Sequence, residues 1–398
     1  MRVYHNIRQC LTLQGARANQ GRHPDTKSLG VIDDAAVVVD HENVVWVGPA
    51  AQLPAAYAQA PREDARGRIW MPALVECHTH LVYGGDRHHD FALRCEGKTY
   101  QQIAQGGGGI LSTVKATRST PAAELTARGL RHIERFTALG VGCLEIKSGY
   151  GLTLESEIKM LETIQALRAQ TPAALVATFL PAHAIPPEYQ GRADAFVDAI
   201  VSEWIPEIAR RKLARFFDVF VEDGYFTVAQ ARRMAEAAQT HGLRVKLHVD
   251  QFTDQSGAAL AAQIAATSCD HLDHVSEAGI AQLGKSSTVA VLAPSASLFM
   301  NTPFPPARAL IDAGAIVALT TDFNPGTCPS HNLPLAMTVA CTQMKMTIAE
   351  AIVGATYNAA QALGEETRFG TIEAGRPLHV WKVDAPHFEA IPYAFGEI

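Results

Sequence analysis

No stretch of this chain approaches the roughly 20 consecutive apolar residues of a membrane span, and the opening Met1-Arg2-Val3-Tyr4-His5-Asn6 lacks the apolar core of a signal peptide. A soluble, untargeted protein is expected. Cysteine is sparse and unpatterned. The seven residues (Cys10, Cys77, Cys95, Cys143, Cys269, Cys328 and Cys341) are odd in number and never form a C-x-x-C pair, which argues against a disulfide framework or a cysteine zinc site and points to the cytoplasm. Lys and Arg form no stripe, and the formal net charge is −6, so neither nucleic acid nor a membrane is expected as a partner and a small-molecule substrate is. A glycine-rich phosphate turn after the first predicted strand, the mark of a doubly wound open sheet, is also missing. The one glycine run, Gly106 to Gly109, is not followed by Lys-Ser/Thr and reads as a flexible loop.

What is present is the composition of an ordinary globular protein: 398 residues, 47% hydrophobic, 19% charged and 7% aromatic, enough for one large unit and a smaller one. Near the start, Val37-Val38-Val39 and Val44-Val45-Trp46-Val47 flank a polar turn, Asp40-His41-Glu42-Asn43, as two paired strands do. After a helical stretch from Ala349 to Leu363, the segments Gly370-Thr371-Ile372, Gly375-Arg376-Pro377 and Leu378-His379-Val380-Trp381 read as strands again. Between these ends, short apolar strands alternate with helical segments. The strands are the run into Cys77-His78-Thr79-His80, Val141 to Ile146, Leu175 to Leu180, Phe216 to Val221, Val245 to His248, Cys269 to Leu272, Thr288 to Leu292 and Ile316 to Thr321. Helix-to-strand joins at Gly140, Gly242 and Gly314 place glycine where a helix ends in the left-handed conformation. The expected fold is α/β: a (β/α)₈ TIM-like barrel over residues 71–364, with a small β-sandwich domain built from both chain ends, 1–70 plus 365–398.

The chemistry gathers at strand ends. In His78-Thr79-His80 the two-residue period puts both imidazoles on one face, and barrel enzymes carry their reacting groups at the C-terminal ends of strands. His248 ends the fifth strand and Asp322 the eighth, each after an apolar run that buries it. Unpaired buried charge is costly, and one shared metal ion satisfies all four groups. Three neutral imidazoles and a carboxylate suit Zn²⁺ or iron, as Fe²⁺ or Fe³⁺, and leave a position for water.

This pattern resembles the amidohydrolase superfamily, in which His-x-His lies on strand one, His on strands five and six, and Asp on strand eight; His271 fills the strand-six position. Members with two metals carry a carboxylated lysine at the end of strand four. Here that strand ends Val221-Glu222-Asp223-Gly224 and Lys147 lies on strand two, so one metal per chain is expected. The phrases His80 to Arg87, Glu145 to Leu152, Phe179 to Ala184, Gly106 to Thr113 and Asp322 to Thr327 are similar to the imidazolonepropionase family over essentially the whole barrel. That resemblance implies hydrolysis of 4-imidazolone-5-propanoate to N-formimidoyl-L-glutamate in histidine metabolism. It implies substrate contacts from Arg87, Tyr150, His183, Gln251, Asn324, Gly326 and Thr327. A bidentate guanidinium at Arg87 suits the propanoate. A metal-activated hydroxide is expected to attack the ring carbonyl, with Asp322 passing the proton to the ring nitrogen and His271 steadying the intermediate. The resemblance also implies a homodimer.

Other residues receive plainer readings. His88 and His89 are read as loop residues, His274 as incidental to the next helix, His132 as solvated helix surface and Cys328 as an unreactive thiol. Two rival functions remain: a nucleobase aminohydrolase, which usually has a glutamate shortly after the strand-five histidine where Gln251 stands here, and a non-catalytic barrel scaffold, which typically loses metal ligands.

Overall fold

The computed structural model describes residues 1–98, 102–103 and 106–397. Both chain ends meet in one six-stranded mixed sheet, so that among the described residues the terminal unit is a single sheet and not the expected β-sandwich. It comprises β1 (Arg2–Leu11), β2 (Val31–Asp40), β3 (Asn43–Pro49), β4 (Arg62–Asp64), β5 (Ile69–Pro72) and, from the far end of the chain, β14 (Val380–Val383). The predicted hairpin is β2 and β3, turning at His41, whose φ is 53°. Of the C-terminal segments read as strands, only the last pairs as one, antiparallel to β5. Val37, Val39, Trp70 and Ile372 fill the sheet's apolar side.

The chain passes from β5 into the barrel at Ala73. Eight parallel strands follow in sequence order: β6 (Leu74–Glu76), β7 (Val141–Lys147), β8 (Ala174–Ala182), β9 (Phe216–Val221), β10 (Arg244–Val249), β11 (Ser268–His271), β12 (Val289–Leu292) and β13 (Ile316–Leu319). Most carry the Val/Ile/Leu/Phe content of a strand buried on both faces; β11, Ser268-Cys269-Asp270-His271, is the polar exception. The predicted joins hold: Gly140, Gly242 and Gly314 have φ of 88°, 80° and 89°. Gly140 is required twice over, because a Cβ there would meet the Trp381 ring at 2.5 Å. The helical stretch through Ala349 to Leu363 is two helices, Ile348–Gly354 and Tyr357–Leu363, broken at Thr356 (φ −130°, ψ −90°). No helix among the described residues is long and apolar enough to cross a membrane.

Closure of the barrel brings the first and last strands together. Thr79 bridges Phe323, and the His80 amide donates to the Phe323 carbonyl at 2.8 Å. Where β6 and β13 lack a regular ladder, the Glu76 carboxylate substitutes for it. It accepts from the Thr321 amide at 3.0 Å, the His78 amide at 3.2 Å and the Thr320 hydroxyl. Burial pushes the Glu76 carboxyl up to about 7, against these hydrogen bonds. The seam therefore sets His78, His80 and Asp322, which are far apart in sequence, side by side.

Candidate active site

His78 and His80 lie just past the end of β6, His248 on β10, and Asp322 just past β13 with φ 55°. The Nε2 atom of His80 is 3.2 Å from that of His78 and 3.4 Å from that of His248. Asp322 Oδ1 lies 3.5 Å from His78 Nε2 and 4.0 Å from His80 Nε2. Behind this group, His78 Nδ1 is 2.6 Å from Asp270 Oδ2, and His248 Nδ1 is 3.0 Å from Asp218 Oδ2. With Nδ1 of His78 and His248 protonated toward a carboxylate, their Nε2 atoms present lone pairs to a common point. Three converging imidazole nitrogens with a carboxylate oxygen beside them make a donor set that fits a divalent metal. Burial, reinforced by neighbouring cationic groups, lowers the pKa values of His78, His80 and His271 well below the usual range, and neutral imidazole is the ligating form.

His271 ends β11 with φ 85°, its ring 5.3 Å from that of His78 and 5.2 Å from that of His248. Asp322 is divided between two tasks. Oδ1 faces the imidazoles, while Oδ2 accepts from the Thr327 hydroxyl at 3.1 Å. Asn324 Oδ1 in turn accepts from the amides of Gly326 at 2.8 Å and Thr327 at 2.7 Å, folding the loop beneath Asp322. Burial pushes the Asp322 carboxyl up to about 8, opposed by hydrogen bonds from Thr327 and Asn324.

Above the imidazoles opens a narrow cleft in which polar and aromatic side chains converge. Every residue expected to touch substrate lines it: Arg87, Tyr150, His183, Gln251, Asn324, Gly326 and Thr327. His80, His248, His271 and Asp322 form its floor, while His78 lies deeper at 1% exposure. Arg87 gives its Nε–H to Asp90 Oδ2, which also accepts from the Gly109 amide at 3.0 Å. That leaves the two outer nitrogens of the guanidinium for a carboxylate. Gly326 lies against the flat of the guanidinium, and a Cβ there would stand 3.2 Å from its carbon and both outer nitrogens. His183 stacks on His80 at 4.7 Å, with its Nδ1 3.1 Å from the Gly149 carbonyl.

Several contributors escaped the sequence reading. Ile110, Phe220, Tyr225 and Phe252 give the cleft an apolar wall. Glu157, from the helix Leu154–Arg168, accepts from the amides of Gly149, Gly151 and Leu152 and so fixes the loop that carries Tyr150. Glu222 accepts from the amides of Phe252 and Thr253, and Asp250 from those of Gln255, Gly257 and Ala258, together fixing the loop of Gln251. Asp250 is thereby committed to backbone. The one signal for these groups in the sequence is a carboxylate beside a glycine-rich strand-to-helix loop.

The plainer readings hold at His88, His89 and His274, all exposed, and at Cys328, whose thiol burial pushes upward, away from a reactive thiolate. His132 requires correction. It is half-buried rather than fully solvated: its Nδ1 lies 2.9 Å from His331 Nε2 and its ring stacks on Tyr83 at 5.7 Å. Of the glycine run, Gly109 forms the N-terminal cap of the helix Ile110–Ser119, with φ 74°.

Residues 107–377 match the sequence pattern described as the Amidohydrolase family. The chain is 46% identical over 376 residues to the imidazolonepropionase of Cupriavidus necator, covering 94% of this chain and 90% of that one. It is 42% identical over 393 residues to the imidazolonepropionase of Geobacillus kaustophilus, covering 98% and 93%. Among solved structures, 5-methylcytosine deaminase from Klebsiella pneumoniae liganded with phosphonocytosine superposes with a TM-score of 0.72 at 16% identity, covering 98% of this chain and 94% of that one. An adenosine deaminase from Xanthomonas campestris with bound zinc gives 0.68 at 18% identity, covering 96% and 84%. At those identities the structural likeness bears on the fold.

Proposed function

Because the chain belongs to the imidazolonepropionases of the amidohydrolase family, we propose that its cleft opens 4-imidazolone-5-propanoate to N-formimidoyl-L-glutamate through the residues placed above. The observation that carries the reading is the vertical order of the cleft: an arginine whose two outer nitrogens have no partner among the described residues at one wall, and a cluster of imidazoles and a carboxylate at its floor. A five-membered ring with an acidic tail needs both.

In this reading Arg87 takes the propanoate through its two outer nitrogens, in the planar fork that matches a carboxylate. Tyr150, His183 and Gln251 orient the ring, and the apolar wall excludes bulk water from its far face. His78, His80, His248 and Asp322 would hold one divalent metal per chain, Zn²⁺ or iron. A metal so held supplies Lewis acidity, which acidifies water and polarises the ring carbonyl. Asp322 takes the proton released by the attacking water and returns it to the ring nitrogen as the amide C–N bond breaks. His271 donates to the oxygen on which negative charge develops. Asn324, Gly326 and Thr327 hold Asp322 and Arg87 in register. The barrel of 71–364 carries every reacting group, and the terminal unit of 1–70 plus 365–398 braces its base. A cytoplasmic homodimer completes the proposal.

The test is a spectrophotometric assay of freshly generated 4-imidazolone-5-propanoate with the protein as purified, after chelation, and after addition of Zn²⁺ or Fe²⁺. The proposal expects turnover that chelation abolishes and one of the metals restores. Turnover indifferent to complete metal removal, or release of ammonia from a cytosine or guanine in its place, would falsify it.

A further inference from the structure

The interior of a barrel of this kind is ordinarily filled by branched apolar side chains, and Val176, Phe216, Val289 and Val291 fill the lower part of this one in that way. Between that floor and the imidazoles lies a layer of five charged residues, Glu145, Lys147, Asp218, Lys246 and Asp270, none more than 1% exposed. Lys147 Nζ is 2.8 Å from Asp218 Oδ2, 3.0 Å from Glu145 Oε2 and 3.5 Å from Asp270 Oδ2. Lys246 Nζ is 2.9 Å from Glu145 Oε2 and donates to the Cys77 carbonyl, immediately before His78, at 3.0 Å. Removing five charges from water is unfavourable beside apolar filler of equal volume, so stability does not account for this layer. Its upper edge does: Asp270 and Asp218 are the carboxylates that face the Nδ1 atoms of His78 and His248.

We propose that Lys147 is a positioning residue, which holds Asp218 against the Nδ1 edge of His248 and thereby sets how tightly the site binds a divalent cation. The proposal rests on the metal-site reading above and extends it one layer down. A carboxylate behind a ligating imidazole fixes its tautomer and rotation, and such partners matter nearly as much as the ligands themselves. Asp270 is also anchored by the Ser268 hydroxyl, from which its Oδ1 accepts at 2.6 Å, but Asp218 is not: its Oδ1 has no hydrogen-bond partner among the described residues, and its Oδ2 lies 2.8 Å from Lys147 Nζ and 3.0 Å from His248 Nδ1. Without Lys147, that carboxylate is free to rotate away from the ring.

The experiment measures Zn²⁺ affinity of the full chain by competition with a chromophoric chelator, without substrate, for wild type, Lys147→Met, Asp218→Asn and the double variant. Each single substitution is expected to weaken Zn²⁺ binding by roughly 10–100-fold. Lys147→Met is expected to add little in the Asp218→Asn background, because the lysine acts through that carboxylate. The visible spectrum of Co²⁺ bound in place of Zn²⁺ is expected to change with the same substitutions. Wild-type affinity in a folded Lys147→Met protein, or additive effects of the two substitutions, overturns the positioning role and leaves the metal site standing. A wild-type protein that binds no Zn²⁺ overturns the metal site and the positioning role with it. Should Lys147→Met fail to fold, the imidazole ¹H–¹⁵N spectrum of the Zn²⁺-loaded wild type decides. A slowly exchanging Nδ1–H signal from His248 is expected, and its absence overturns the proposal.

Discussion

Asp322 holds one oxygen toward the imidazoles and the other toward the Thr327 hydroxyl at the cleft. Asp322→Asn keeps the volume and a donor-acceptor pair but cannot carry the proton between water and ring nitrogen. We expect turnover to fall by about 10³-fold or more, since positioned acid–base groups contribute roughly 10²–10⁴ and a metal ligand is weakened as well. Circular dichroism and thermal melting check that the fold survives, and activity within about tenfold of wild type would contradict the assignment. Gly326 makes a finer test, because a single methyl group at 3.2 Å presses on the guanidinium without removing it. Gly326→Ala should raise KM by about three- to tenfold with kcat little changed, and Arg87→Ala should raise it by roughly 10–100-fold, as expected for a lost charged hydrogen-bonded pair. Equal kinetics for all three proteins would remove Arg87 from the carboxylate subsite. At this scale, the residues legible in the sequence were those that end an apolar strand, His78, His80, His248 and Asp322. Lys147 and Lys246 were not, because what explains each is a partner remote in sequence: Asp218 lies 71 residues from Lys147, and the Cys77 carbonyl 169 from Lys246.

Seven of the eight barrel strands were read to within a residue or two, because most strands buried on both faces are apolar runs and because glycine marks three of the joins, at Gly140, Gly242 and Gly314; the first was carried through His80, four residues past the end of β6 at Glu76. Loops were harder, since their shape depends on side chains that arrive from elsewhere. His132 illustrates the point: on its own helix it neighbours Arg128, Arg131 and Arg135 and reads as solvated, but Tyr83, Phe323 and His331 cover it. Glu157 illustrates it from the other side, as a carboxylate in the first turn of an ordinary helix that holds three amides of the preceding loop. Glu157→Gln leaves one oxygen for those donors and brings an amino group against the others. We expect a loss of about 1–3 kcal/mol in stability, from buried donors left unsatisfied, together with a raised KM as Tyr150 loses its fixed position. A melting temperature and KM both equal to wild type would show that the loop is held by other means.

At the scale of the whole molecule, barrel closure, the terminal sheet and the cleft depend on one another. The sheet delivers the chain into β6, the seam between β6 and β13 sets Asp322 beside the first two histidines, and the loops beyond the strand ends build the wall above them. Fold class and reaction were both legible, because the ligand-bearing strand ends and the loop phrases occur in the order the family requires. The ionic layer was not, since alternating Lys and His in a short strand carries no statement of which strand lies opposite. The central claim is that water opens the ring at its carbonyl carbon, and the most direct test is turnover of 4-imidazolone-5-propanoate in ¹⁸O-labelled water with the product analysed by mass spectrometry and ¹³C NMR. Our account predicts N-formimidoyl-L-glutamate with one labelled oxygen, in the carboxylate formed from the ring carbonyl; label on the one-carbon unit between the two nitrogens, or no label at all, would contradict it.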